Sequence, residues 1–223
     1  MFILNKFNIK TVENQQLFLN YVNIYYKIGT VVIYDYRNRI RILNKKKRIP
    51  QNFLSSTIFI SSTSFQQNHK ILSTKIRSYV YNNISKSKCI TCIGGESYLY
   101  GLVLQIQNIY HYTNCKSIYN DLEFNNKFYK KNICNNLINY NNYENYFGDN
   151  NFCIINLSRL YEKLIIMLND KNYQKIIIIK CNHNDFWKKI RLLYNYKIIS
   201  RERFICEKLN YFITVNIFIK KTL

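Results

Sequence analysis

Four consecutive isoleucines, Ile176 to Ile179, constrain this chain more than any other feature. The run is far shorter than the roughly 18 apolar residues of a membrane span, and β-branched side chains in a row suit an extended strand covered on both faces. Such strands belong to the middle of a parallel sheet. The run ends at Lys180-Cys181-Asn182-His183-Asn184-Asp185-Phe186. Residues just past the carboxyl end of a strand in an open parallel sheet line the crevice where ligands sit, so Cys181 stands where chemistry is done. Trp187 to Leu193 then has the apolar spacing of a short amphipathic helix covering the sheet.

The preceding residues alternate between the two periods. Lys70 to Ile84 carries apolar residues at 71, 72, 76, 79, 80 and 84, a helical stripe. Lys88 to Ile93 reads as a strand running into the Gly94-Gly95 turn and a helix. Asn108 to Asn114 is a second strand, Lys116 to Asn126 its helix, Ile133 to Asn139 a third strand and Phe152 to Asn156 a fourth. Arg159 to Leu168 is the next helix, leading into the isoleucine strand. Strands alternating with helices mean an open, mostly parallel α/β sheet. The tail, Ile198 to Ser200 and Phe212 to Ile219, alternates as an antiparallel closing hairpin does at the edge of such a sheet.

Residues 1–62 are different, a basic, β-rich segment ahead of an α/β domain over 63–223. Thr30 to Tyr36 and Arg39 to Leu43 read as two strands joined at Arg37-Asn38, and Phe53 to Ile60 as a third. Seven of the twelve residues from Arg37 to Arg48 are basic: Arg37, Arg39, Arg41, Lys45, Lys46, Lys47 and Arg48. Basic side chains alternating on a β-ribbon suit phosphate contacts, and they equally suit a solvated hairpin face. The whole chain has 33 Lys and Arg against 12 Asp and Glu, a net charge of +21. An AT-rich genome enriches Lys, Asn, Ile and Tyr with no partner implied. Glu codons share that bias, yet acids are scarce, which favours a nucleic-acid partner.

Met1 to Lys10 lacks the apolar core and cleavage site of a signal peptide, and no stretch approaches a membrane span, so the expectation is a cytoplasmic protein with no membrane partner. Seven cysteines, an odd number set mostly in apolar runs, argue for reduced thiols. Cys89-x-x-Cys92 has no second pair behind it, and a structural zinc needs four ligands, so no metal site is expected.

Four pieces in order carry a resemblance. Ser64-Phe65-Gln66-Gln67-Asn68 precedes the first helix, Gly94-Gly95 ends the first strand, Asn156-Leu157-Ser158-Arg159-Leu160 ends the fourth and Cys181-Asn182 ends the fifth. Over about residues 60–219 this arrangement resembles the RNA uracil-C5 methyltransferases, S-adenosylmethionine enzymes that make 5-methyluridine in tRNA and rRNA. The resemblance implies a Rossmann-like class I methyltransferase sheet with an antiparallel C-terminal hairpin. It also implies S-adenosyl-L-methionine as cofactor, held around Gln66, Gly94, Gly95, Asn114 and Asn156, and a tRNA- or rRNA-like partner. Cys181 would be the nucleophile that adds to C6 of uracil, with Asn182 beside it.

The departures are as informative as the matches. Asn114 and Asn156 stand where the family has acids, His183 replaces a proline, and Ile213 stands where the resemblance expects the general-base Glu. Losing a general base typically costs about 10²–10⁴ in rate. His183 is either a substitute base or a solvated helix-terminal residue, and Glu96, in the glycine turn, is placed to meet the cofactor's amino group. Three readings follow: a uracil-C5 enzyme, a methyltransferase of altered chemistry that removes no C5 proton, and a catalytically inactive RNA-binding protein of the same fold.

Overall fold

The computed structural model describes residues 2–5, 31–34, 40–42, 48–61, 64, 70–84, 87–104, 106–138, 152–157, 160–181, 186–206 and 211–222. The chain divides into two compact units, Met1–Gln51 with Phe59–Thr63 and Asn52–Ile58 with Ser64–Leu223.

In the first unit, β1 (Phe2–Asn5) pairs in parallel with β2 (Val31–Tyr34), and β2 pairs antiparallel with β3 (Ile40–Ile42), Tyr34 opposite Ile40. The β2–β3 pair is the one expected from alternation. Strand β1 has no signature in the sequence, because Phe2-Ile3-Leu4 has no polar residue to set a period. A hairpin of β4 (Ile49–Phe53) and β5 (Ser56–Ile60), of which Asn52–Ile58 is counted with the second unit, replaces the single strand expected over Phe53 to Ile60. The chain reverses at Leu54, whose φ is 55°. Left-handed turns usually announce themselves with Gly, Asn or Asp, and leucine gives no such signal.

The second unit is a seven-stranded sheet. Its elements in order are α1 (Lys70–Asn83), β6 (Cys89–Ile93), α2 (Ser97–Val103), β7 (Asn108–Thr113), α3 (Lys116–Tyr129), β8 (Asn132–Leu137), β9 (Phe152–Asn156), α4 (Glu162–Asp170), β10 (Lys175–Cys181), α5 (Phe186–Ile190), β11 (Tyr196–Cys206) and β12 (Tyr211–Lys220). The strands lie in the order β8-β7-β6-β9-β10-β12-β11. Strands β6 to β10 are mutually parallel, and β12 runs antiparallel to both β10 and β11. The C-terminal hairpin is therefore present, inserted so that β12 touches the isoleucine strand and β11 forms the edge. Every residue of β9 and Ile176 to Lys180 of β10 are buried, as a two-sided apolar run requires.

Side-chain alternation assigns the two faces. Ile176 and Ile178 join Cys153, Ile155, Leu164, Ile165, Leu168, Phe186 and Phe218 in a core beneath α4 and α5. Burying each Leu or Ile is worth roughly 1.5–3 kcal/mol, so this layer anchors the sheet. Ile177, Ile179 and Cys181 leave the opposite face, on the side where α1 meets β11 through Tyr79 and Phe204, whose ring centroids are 5.7 Å apart. Helix α1 buries Leu72, Ile76 and Val80, spaced by four residues each. Helix α3 ends as Lys130 takes a φ of 47° and its N–H reaches Asn126 O at 2.9 Å, while Asn126 Oδ1 accepts the next N–H. Helix α5 is shorter than the Trp187 to Leu193 span expected, and α4 begins at Glu162 where the pattern had suggested Arg159.

Candidate active site

Strand order reverses between β6 and β9, which opens the crevice where open α/β sheets bind ligands. One lip is the Gly94-Gly95 turn, with φ of 67° and 45°. The turn is pinned by the Gly94 N–H donating to Tyr112 O at 2.9 Å and the Ser97 N–H donating to Gly94 O at 3.2 Å. The other lip is Asn156, at the end of β9. A Cβ on Gly95 would lie 2.6 Å from Asn156 O and 2.8 Å from its Cγ. Only glycine permits that approach, so Gly95 and Asn156 form one packed unit. Asn114 follows β7 on the strand next to the turn; it is exposed, and among the described residues its amide has no hydrogen-bond partner.

Glu96 is placed differently from the sequence expectation. Its carboxylate is buried and takes a two-point contact from Arg77 of α1, Nη2 to Oε1 at 2.7 Å and Nε to Oε2 at 3.2 Å. The guanidinium also lies 4.8 Å from the centroid of Phe53, whose ring meets Tyr100 edge-on at 5.1 Å. Burial pushes the Tyr100 hydroxyl well above its ordinary range, the Glu96 charge adds to this, and Arg77 opposes it. The pair ties the glycine turn to α1. Arg77 gave no sequence signal, since a basic residue on a helix normally reads as its solvated side.

The built region continues into β7. His111 is fully buried, with Nδ1 2.8 Å from Asn135 Oδ1. The Asn135 amide nitrogen donates to Tyr119 O at 3.0 Å and Glu123 Oε1 at 2.8 Å, so its oxygen is the acceptor and the His111 Nδ1 carries the proton. Burial pushes this imidazole down to about 4 from an ordinary 6.5, only partly offset by the Asn135 contact. His111 is neutral at physiological pH.

Cys181 closes β10, half-buried, directly opposite Ile213 of β12. Ile213 is 1% exposed and offers no proton acceptor, so an apolar side chain fills the position where the resemblance expects a base. Asn156 pairs with Ile179, two residues before Cys181 on the same face, which puts the lip of the crevice and the thiol on one side of the sheet. On the other face Lys180 is buried; desolvation lowers its ammonium pKa, with the neighbouring Cys181 opposing and Lys189 assisting. Burial pushes the thiols of Cys92 and Cys153 far up, leaving them unreactive.

The structure thus brings Gly94, Gly95, Asn114 and Asn156 to neighbouring strand ends with Cys181 two strands beyond the turn. Gln66, Asn182, His183, Arg37, Arg39, Lys45, Lys46 and Lys47 lie outside the described residues. Arg41 falls in β3 of the first unit, and Arg48 is half-buried. Among the described residues no cluster of three or more His, Cys, Asp or Glu could hold a metal, and Cys89 and Cys92, three apart on one strand, leave opposite faces. No described helix is long and apolar enough to cross a membrane.

No family model and no curated protein sequence matches this chain. Solved structures do. The M. jannaschii tRNA m1G37 methyltransferase superposes with a TM-score of 0.75 at 13% identity, over 99% of this chain and 70% of that one. The Pyrococcus abyssi tRNA (uracil-54, C5)-methyltransferase, in complex with S-adenosyl-L-homocysteine, gives 0.70 at 14% identity, over 98% of this chain and 55% of that one. M. jannaschii TYW2, in complex with AdoMet, gives 0.61 at 11%, over 86% and 94%. The fold is that of a class I methyltransferase. At these identities the likeness carries the fold alone, and because a guanine-N1 enzyme and a uracil-C5 enzyme both match, it does not single out the uracil-C5 family.

Proposed function

We propose that this protein is an S-adenosylmethionine-dependent RNA methyltransferase or a direct derivative of one, with the cofactor held at the β6–β9 crevice. The observation that carries the reading is the two-glycine turn locked against Asn156 where the strand order reverses, with the exposed Asn114 amide, which has no partner among the described residues, on the next strand. These residues fit a nucleoside cofactor. A backbone turn without side chains admits close approach, and a free amide offers a donor and an acceptor to ribose hydroxyls in place of the usual acid. When bound, S-adenosylmethionine would supply an electrophilic methyl group. The charge of +21 supports a polyanionic substrate, and neighbours of the same fold act on tRNA.

Cys181 is the candidate nucleophile if the target is a uracil C5. The pairing of Cys181 with Ile213 favours a second reading, in which no C5 proton is removed: either the methyl goes to another atom, or the protein binds RNA without catalysis. In the same proposal residues 1–62 form an accessory RNA-binding segment and 63–223 the cofactor-binding domain. The test is transfer of labelled methyl from S-adenosylmethionine to bulk tRNA and rRNA, with digestion to nucleosides. 5-Methyluridine abolished by Cys181→Ala supports the nucleophile, a different methylnucleoside retained in that variant supports altered chemistry, and no incorporation leaves the binding-protein form.

A further inference from the structure

The edge of the sheet carries a surface that the crevice does not use. Strand β11 is the outermost strand, and Arg201, Arg203 and Ile205 pair with Asn216, Thr214 and Phe212 of β12, so all three leave the face of α5. Arg201 lies over the ring of Trp187 with its guanidinium carbon 4.4 Å from the centroid, and Arg203 lies over Phe212 at 3.8 Å. Both arginines are exposed, and among the described residues neither has an ion-pair partner. Glu202, the acid of this strand, leaves the opposite face. Trp187 is 39% exposed and Ile205 is 56% exposed, and the exposed Lys188 adds a third cation. The patch lies at the same end of the sheet as the candidate site: Arg203 is opposite Thr214, one residue from Ile213, which faces Cys181.

An isolated arginine on an aromatic ring is a common surface contact worth about 0.5–1 kcal/mol. Two such pairs on one face, with no ion-pair partner among the described residues, at the end of the sheet where Cys181 leaves the opposite face, form a larger unit. Each pair presents a flat π or guanidinium surface with a cationic fork whose N–H groups remain free. Unpaired nucleotides are held by that combination, with bases stacked on aromatic or guanidinium planes and phosphates on the charges. In a duplex the bases are already stacked and offer only phosphates.

We infer that Trp187–Arg201 and Phe212–Arg203 form a stacking platform for an unpaired RNA segment that leads a nucleotide toward the Cys181 end of the sheet. The inference rests on the proposed RNA substrate and extends it by naming the surface and the strand state. It differs from the basic run of Arg37 to Arg48, which belongs to the other unit. Contacts here are read through rings as well as charge.

Trp187 is the only tryptophan of the chain, so its emission reports the platform directly. The full-length protein is titrated with an unstructured single-stranded RNA, a duplex of the same length and the matching single-stranded DNA, following Trp187 fluorescence together with anisotropy of labelled RNA. Single-stranded RNA should quench Trp187 in step with binding. Trp187→Ala should weaken affinity about 5- to 160-fold, the range of one lost base stack, while Trp187→Phe recovers most of it. Arg201→Gln with Arg203→Gln should reduce the slope of log K against log salt by about 1.4, the loss of two single-strand phosphate contacts. Circular-dichroism melts of each variant separate these effects from unfolding. Binding without a change in Trp187 emission, preference for the duplex or for DNA, or no RNA binding would each overturn the platform. Quenching without methyl transfer keeps the platform and removes the transferase activity, so the two claims fail separately.

Discussion

The two sides of the strand-end crevice are built from different materials. On the β6 side a buried acid and a buried base are matched: Glu96 is held twice by Arg77, and Gly95 leaves just enough room for Asn156. On the β10–β12 side a half-buried thiol faces an isoleucine, with Lys180 as the buried cation on the far face. The first side carries the larger desolvation cost, since burying an ion pair is penalised unless its geometry and hydrogen bonds compensate. The contrast is between a turn packed to one geometry and a strand end where, among the described residues, the position opposite the thiol carries no acid.

The largest expected effect tests the built side. Arg77→Met strands the Glu96 carboxylate and should destabilise the protein by about 3–5 kcal/mol in urea unfolding. Arg77→Met combined with Glu96→Leu should recover much of that loss. Simple additivity would show that the pair is not coupled and break the comparison at its strongest point.

His111 gives the next effect. Its folded pKa of about 4 lies below the ordinary 6.5, so the unfolded chain takes up the proton first as pH falls. Stability is full above about pH 6.5 and declines toward pH 4, by up to ~3 kcal/mol over that window. His111→Phe should flatten this part of the profile measured by denaturant titration. An unchanged slope would mean that other groups set it.

Gly95→Ala comes third. The side chain meets Asn156 O, a backbone atom that cannot rotate away, at a φ of 45°, and a loss of about 1–3 kcal/mol is expected by thermal or urea unfolding. A neutral result would mean that the two lips are not packed as one. Cys181→Ala is the smallest, below about 1 kcal/mol, because the residue is half-buried at a strand end. Iodoacetamide on the folded protein should modify Cys181 well before Cys92 and Cys153, whose thiols burial holds protonated. Equal rates would contradict the difference between strand end and core.

The sheet was legible because its signals are local. Ile176 to Ile179, the glycine pair and the helical stripe of α1 each declare a period or a turn within a few residues. What sequence reading missed is long-range or lacks a signature. Arg77 and Glu96 are 19 residues apart and read as a solvated helix residue and a cofactor contact, because neither position shows that the other will bury it. Leu54 takes the left-handed position of its turn, where Gly, Asn or Asp would have signalled it. The Arg201–Trp187 contact depends on α5 and β11 meeting in space, which periodicity does not reveal. Of the residues named for the site, the strand-end positions could be placed from the strand ends themselves, whereas Gln66, Asn182 and most of the basic run lie outside the described residues.

The most direct measurement is isothermal titration of nucleic-acid-free protein with S-adenosylmethionine, with Gly95→Trp as a blocked-turn control shown to be folded by circular dichroism. Micromolar binding at one site, absent in the control, is the expected result. A folded wild-type protein that gives no heat up to millimolar cofactor would contradict it, leaving the glycine turn a packing device and the chain a methyltransferase fold without its cofactor.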